Sequence, residues 1–297
     1  MSHDSPTVRP VIIIGAARSG TKYLRDILGS SDAACKVPYD INYIWRAYNE
    51  TWPDDAIPPE CATGKVRKFI RAQIERLAGA GTPGASVLLE KTVGNSLRLP
   101  FVDAVYPDAL YIHLLRDGRS VTESASRQWS EPPNWGRLIE KLRGMPLRNA
   151  SYVLWFAKNY FAGLGSGRGG GKVWGPRYPG IDDDLAAGAS VTTISAKQWA
   201  ASVAMAQNHL QEVDPDRVCT VRYEELVDGD TEIRRLCDFC GLPDVDAVAA
   251  RHMSKVDRST AEKWRESMSA EQQAEMMREI EPLLVKLNYG NTLESAQ

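Results

Sequence analysis

Arg18 and Lys22 flank Ser19-Gly20-Thr21 in the run GAARSGTKYL, and no carboxylate interrupts it. Gly15 and Gly20 let the backbone come close to a bound group. The N–H groups of such a turn, the dipole of a following helix and two full positive charges together suit a phosphate. A second basic run, RDGRSVTES, places Arg116 eight positions ahead of Ser124. If a strand ends at Arg116 and a helix begins just beyond it, the hydroxyl returns beside the guanidinium and both can hold one phosphate. Each run also has a plainer account: a structural glycine turn for the first, a surface Arg–Asp pair with a helical serine for the second.

The first run has the wrong order for a nucleoside triphosphatase, because Thr21 precedes Lys22 and no Ser or Thr follows the lysine to hold magnesium. The partner aspartate is missing too: Leu114 and Leu115 are followed by Arg116 before Asp117. His3, His113, His209 and His252 are isolated from one another, and no carboxylate or histidine cluster has ligand spacing, so no metal is expected. Cys237 and Cys240 form a lone CxxC on the face of a helix that also carries Ile233 and Leu236, which points to core packing.

These residues need elements to position them. The aliphatic runs Val11–Ile14, Val87–Leu89, Leu110–Leu115 and Val218–Val221 read as strands buried on both faces. Helices are expected to begin at Thr21, Lys65, Arg119, Ala196, Thr231 and Ala270, each after turn or capping residues. The alternation predicts one α/β domain over 10–290, with a flexible stretch at 1–9 and a tail at 291–297. A strand that stops at Arg116 puts its guanidinium at the carboxyl edge of the sheet, where open α/β folds bind ligands. Residues 163–188 crowd glycine and proline around Trp174, Arg177 and Tyr178. That composition predicts a mobile loop, either a linker or an active-site cover, with Trp174, Arg177 and Tyr178 as candidate substrate contacts.

Bulk properties narrow the partners. The 36 basic and 38 acidic side chains nearly cancel, so no global field recruits nucleic acid or an anionic membrane. No run reaches the length of a membrane span or of a signal-peptide core, and five scattered cysteines fit a reducing compartment. A cytoplasmic protein is the expectation.

GAARSGTKYL resembles the 5′-phosphosulfate loop of sulfotransferases dependent on 3′-phosphoadenosine 5′-phosphosulfate (PAPS), matching at Arg18, Ser19, Gly20 and Thr21, with Lys22 where a second Thr is more usual. RDGRSVTES resembles the 3′-phosphate segment of the same family, in which the Arg and Ser at the positions of Arg116 and Ser124 grip that phosphate. VCTVRYEELVDGDTEIRRLCDFCGLP is similar to the family's late strand and helix, where the residue at Tyr223 approaches the nucleotide. SKVDRSTAEKW is similar to the nucleotide-covering segment of the tyrosylprotein branch, at Ser259 and Lys263.

The resemblance implies a three-layer α/β sandwich with a central parallel sheet and a P-loop-like phosphate-binding turn. It implies PAPS as donor, the desulfated nucleotide PAP as product, and transfer of a sulfuryl group to an acceptor hydroxyl. Arg18 and Lys22 would stabilise the leaving group, and Lys91, just past a strand, would face the sulfuryl group or the acceptor. In the tyrosylprotein branch the base is a Glu about as far beyond the loop as Asp40, which makes Asp40 the candidate general base. Its other role would be to cap a helix beginning near Ile41, and Glu90 and His113 stand in reserve. The acceptor, a glycan, a small molecule or a peptide tyrosine, stays open, as does the choice between monomer and homodimer. A P-loop phosphotransferase and a non-catalytic nucleotide-binding protein are the rival classes.

Overall fold

The computed structural model describes residues 8–130, 174–257 and 263–290. Five parallel strands, β1 (Arg9–Ile14), β2 (Ala34–Lys36), β3 (Val87–Glu90), β4 (Leu110–Leu115) and β5 (Val218–Arg222), form one sheet in the order β2-β3-β1-β4-β5. The register is set at the centre, where Ile12 lies opposite Glu90 on one side and Tyr111 on the other.

The central strands are apolar at successive positions because both faces are covered. Ile12, Ile14 and Leu88 enter one core, with side chains of α2 (Asn42–Trp45), α3 (Gly64–Ala78) and α4 (Leu99–Val105). Val11, Ile13 and Leu89 enter the other, with α1 (Thr21–Leu28) on that face. The result is the expected three-layer α/β sandwich. A further cluster joins α5 (Gly118–Ser130) to two helices placed later in the chain, α7 (Val191–Leu210) and α12 (Ala270–Lys286). Between α5 and α7 comes α6 (Ile181–Ala186), and α8 (Tyr223–Asp228), α9 (Thr231–Cys240), α10 (Val245–Met253) and α11 (Trp264–Ser267) complete the order.

Cys237 and Cys240 are buried on the inner face of α9, and burial pushes both thiols up to about 12, so the pair behaves as core. No helix among the described residues is long and apolar enough to cross a membrane.

One expected boundary moves, and one stretch read as loop carries a helix. The helix placed at Ala196 begins at Val191, where Ser190 caps it by accepting from the Thr193 amide at 3.1 Å. The glycine-rich stretch holds more order than its composition suggests: residues 174–188 include α6, and Tyr178 and Ile181 pack with Leu97 and Ile194. Residues 163–173 lie outside the described residues.

Candidate active site

Because all five strands are parallel, their carboxyl ends share one edge, and each sends a candidate side chain past it. Along the edge these are Asp40 after β2, Lys91 after β3, Arg18 after β1, Arg116 after β4 and Tyr223 after β5. Ligands of open α/β sheets bind at such an edge.

The turn after β1 is shaped for close approach. A Cβ at Gly15 would lie 2.7 Å from the Leu114 carbonyl oxygen, and one at Gly20 would lie 2.7 Å from the Tyr223 ring. Gly20 also has φ of 93°, and Arg18 sits at φ of 72°, an uncommon conformation for a residue with a side chain. Gly20 caps α1 with no side-chain acceptor, so the amides of the first turn are open to an anion. The Ser19 hydroxyl is buried with no partner among the described residues. Cramped glycines, open amides and an orphaned hydroxyl fit a phosphate group.

The structure brings the two basic runs together. Arg18 Nε donates to Ser124 Oγ at 3.0 Å and its Nη1 to Gln128 at 3.3 Å, while Arg116 Nη1 donates to the Arg18 carbonyl at 3.1 Å. The Arg116 guanidinium lies 4.1 Å from the centroid of the Tyr223 ring, an attractive cation–π distance. Tyr223 thus supports both Gly20 and Arg116. Arg116 itself is fixed by its carbonyl, which accepts from Trp199 Nε1 at 3.1 Å. The next residue is fixed as well: the Asp117 amide donates to Glu224, whose other oxygen accepts from Tyr289.

Lys22 is not brought to this group. Its ammonium pairs with Asp26 at 2.9 Å, one turn along α1. Burial opposes the Asp26 charge, but hydrogen bonds from Lys22 and Arg25 outweigh it and hold the carboxyl at about 2. Lys263 is exposed just ahead of α11, and Ser259 lies outside the described residues.

On the other side, Asp40 and Lys91 meet. Asp40 Oδ2 accepts from Lys91 Nζ at 3.3 Å and from the Val93 amide at 3.1 Å, and Oδ1 accepts from the Asn42 amide at 3.3 Å. The last bond spans two residues at the entry to α2, whose N-cap is Ile41 with no side-chain cap, so Asp40 steadies the helix entry without being the cap itself. With 27% of its side chain exposed, Asp40 stays within reach of a ligand. Glu90 and His113 are 0% and 2% exposed, which removes both as bases acting directly on an acceptor. Desolvation pushes His113 down to about 4 and keeps it neutral.

Residue spacing gave no sign of the polar network behind Asp40. Asp55, 1% exposed, accepts from Arg46 at 3.1 Å, Arg98 at 3.4 Å and Asn42 at 3.0 Å. It also exchanges two 2.8 Å backbone contacts with Arg177: its carboxylate accepts from the Arg177 amide, and its own amide donates to the Arg177 carbonyl. Arg46 further donates to the carbonyls of Trp52 and Asp54. Of the three candidate cover residues, Trp174 offers its carbonyl to Gln198, Arg177 pairs with Asp182, and Tyr178 is buried with its hydroxyl on Asp184 at 2.6 Å. Tyr178 therefore braces this segment and does not present itself to an acceptor.

Ser96, in the short 3-10 turn Val93–Leu97, joins the two sides. Its hydroxyl accepts from the Gly15 amide at 3.2 Å and donates to the Gly15 carbonyl at 3.1 Å. Among the described residues no group of three or more His, Cys, Asp or Glu side chains is gathered as a metal site.

Comparison with known proteins bears on the fold and the family. No curated protein matches the sequence. The chain is similar in fold to the sulfotransferase domain from the curacin biosynthetic pathway, at 16% identity and TM-score 0.52, covering 94% of this chain and 98% of that one. It is also similar to the sulfotransferase domain of the Synechococcus PCC 7002 olefin synthase, at 17% identity and TM-score 0.51, covering 95% and 97%. The sulfotransferase STF9 from Mycobacterium avium matches at 14% identity and TM-score 0.52, covering 95% of this chain and 78% of that one. The model of a family described as the sulfotransferase family matches residues 10–156 and 184–247, most of the chain, and the protein belongs to that family.

Proposed function

We propose that the protein transfers a sulfuryl group from PAPS to an acceptor hydroxyl. The observation that carries this reading is the junction of the two phosphate runs, in which Arg18 reaches Ser124 while Arg116 holds the Arg18 carbonyl. A nucleotide with phosphate at both its 5′ and 3′ positions needs two such loops side by side. The turn at 18–21 takes the 5′-phosphosulfate, and Arg116 with Ser124 takes the 3′-phosphate.

The chain's own groups can divide the chemistry. Asp40 accepts the proton of the acceptor hydroxyl as it attacks sulfur, and the S–O bond to the nucleotide phosphate breaks on the opposite side. Arg18 and the amides of the first turn of α1 stabilise the charge left on PAP, and Lys91, paired with Asp40, holds the transferring group between them. Lys22 would join this task only by leaving Asp26.

The test is a panel of glycan, phenol, alcohol and peptide-tyrosine acceptors with sulfur-labelled PAPS, monitored for label transfer and PAP release. Label on one hydroxyl class supports the reading. Tight PAP binding without turnover on any acceptor would make this a nucleotide-binding protein, and magnesium-dependent use of ATP would make it a phosphotransferase.

A further inference from the structure

Glu90 ends β3 and is wholly buried, yet its carboxyl faces two donors: Thr92 Oγ1 at 2.6 Å from Oε1 and Asn95 Nδ2 at 3.0 Å from Oε2. The Thr92 oxygen in turn accepts from the Ile41 amide at 3.2 Å. An unbroken chain therefore runs from Ile41 through Thr92 to Glu90, one residue from Asp40. On the far side of Thr92, the Val93 amide donates to Asp40 itself. The carboxyl of Glu90 thus fixes both backbone segments that hold the Asp40 carboxylate.

We propose that Glu90 is a positioning residue for Asp40, its ionised carboxyl holding residues 41 and 92–93 in the arrangement that aims Asp40 at the acceptor hydroxyl. This rests on the sulfotransferase reading, with Asp40 as base. An ionised carboxyl satisfies both donors, whereas a proton on either oxygen competes with Thr92 or Asn95 for it. Losing the Thr92 bond frees the hydroxyl that anchors Ile41. The charge is costly to keep at this depth: burial pushes the Glu90 carboxyl up to about 7, against the pull of its hydrogen bond from Thr92. The other ionisable groups that act on it are Asp40, which raises it further, and Lys91, which lowers it. Arg98 and Tyr106 feel the Glu90 charge from α4 and its borders. Glu90 changes state near neutrality, and the positioning of Asp40 changes with it.

The experiment measures kcat against pH from 5.5 to 9 with the acceptor found in the screen above, for wild type, Glu90→Gln, Thr92→Val and Thr92→Ser. Failure of that screen would refute the sulfotransferase reading before any variant is made, so the two failures are distinguishable. Wild-type kcat should rise through neutrality. Glu90→Gln should be flat over that interval and slower by roughly tenfold or more at pH 8, the scale of a misplaced catalytic group. Its melting temperature and PAP affinity should be preserved. Thr92→Val should share the loss at pH 8, and Thr92→Ser, which keeps the hydroxyl, should restore the rate. The proposal is overturned if Glu90→Gln keeps both the rise and the wild-type rate. It is equally overturned if Glu90→Gln lowers kcat uniformly at every pH together with melting temperature and PAP affinity, since that is the mark of a purely structural residue.

Discussion

The edge of the sheet divides into two halves built by different physics. Beyond β1, β4 and β5, the half proposed for the nucleotide is made largely from backbone: a cramped glycine turn, open amides, and Arg116 steadied by the Arg18 carbonyl and the Tyr223 ring. Beyond β2 and β3, the half proposed for the acceptor is made from buried side-chain charges, with Asp55 between Arg46 and Arg98 and with Glu90 beneath Asp40. A phosphate group has one fixed shape and charge, so fixed amides would serve it. An acceptor hydroxyl needs one carboxylate at the right angle, and side-chain networks supply angles.

Substitutions can separate the halves. The largest effect is expected from Asp40→Asn, which should lower the transfer rate by about a hundredfold to ten-thousandfold, the usual worth of a general base, while calorimetry finds PAP affinity unchanged. A variant with near-normal turnover would leave Asp40 only steadying the helix entry and erase the chemical distinction between the halves.

Next comes Asp55→Asn, which leaves two buried guanidiniums short of a counter-charge and should cost about 3–5 kcal/mol of stability in chemical denaturation. Loss of only a few tenths would mean that the acceptor half does not depend on its buried ions. Arg116→Ala should weaken PAP binding about tenfold or more, from about 1.5–3 kcal/mol for a charge-assisted contact, with the melting temperature little changed. Unchanged affinity would move the 3′-phosphate elsewhere.

The smaller effects sharpen the nucleotide half. Tyr223→Ala removes the ring under Arg116 and Gly20 and should weaken PAP binding by about 0.5–2 kcal/mol. Tyr223→Phe keeps the ring and should bind as wild type does; a loss there would assign the work to the hydroxyl. No change in rate is expected with EDTA, because the charge-stabilising groups proposed here are Arg18, Lys91 and helix amides. Abolition with rescue by magnesium would place a cation between the halves.

The sequence was most legible where function is local. Four of the five strands stand where aliphatic runs put them, and Arg116 follows one of their ends with Ser124 on the helix beyond it. The strand Ala34–Lys36 was missed because three residues with no β-branched side chain give no periodic signal. The helix and packing within 174–188 were not legible in the 163–188 stretch, because they rest on distant partners, such as Asp55 for Arg177 and Gln198 for Trp174 and Pro176. Arg98, Asp55 and Glu90 carry no motif. Arg98 and Asp55 matter through pairings across dozens of residues, which spacing along one chain does not encode. Glu90 is held by Thr92 and Asn95 close by in the chain, and only its burial sets it apart.

Ser96 spends its single hydroxyl on both polar groups of Gly15, one from each side of that residue. Such a stitch limits how the protein can diversify. Alanine there would drop both bonds, a larger side chain has no room at a position that is 0% exposed, and a shift of the 93–97 turn to suit a new acceptor would drag the phosphate turn with it. Lineages that keep this donor but change acceptor should therefore vary at the rim, around Trp52–Asp54 and Trp174–Arg177, and hold the stitch constant. On the proposed function, the stitch would tie the turn that takes the donor to the rest of the fold and leave acceptor choice to the loops around it.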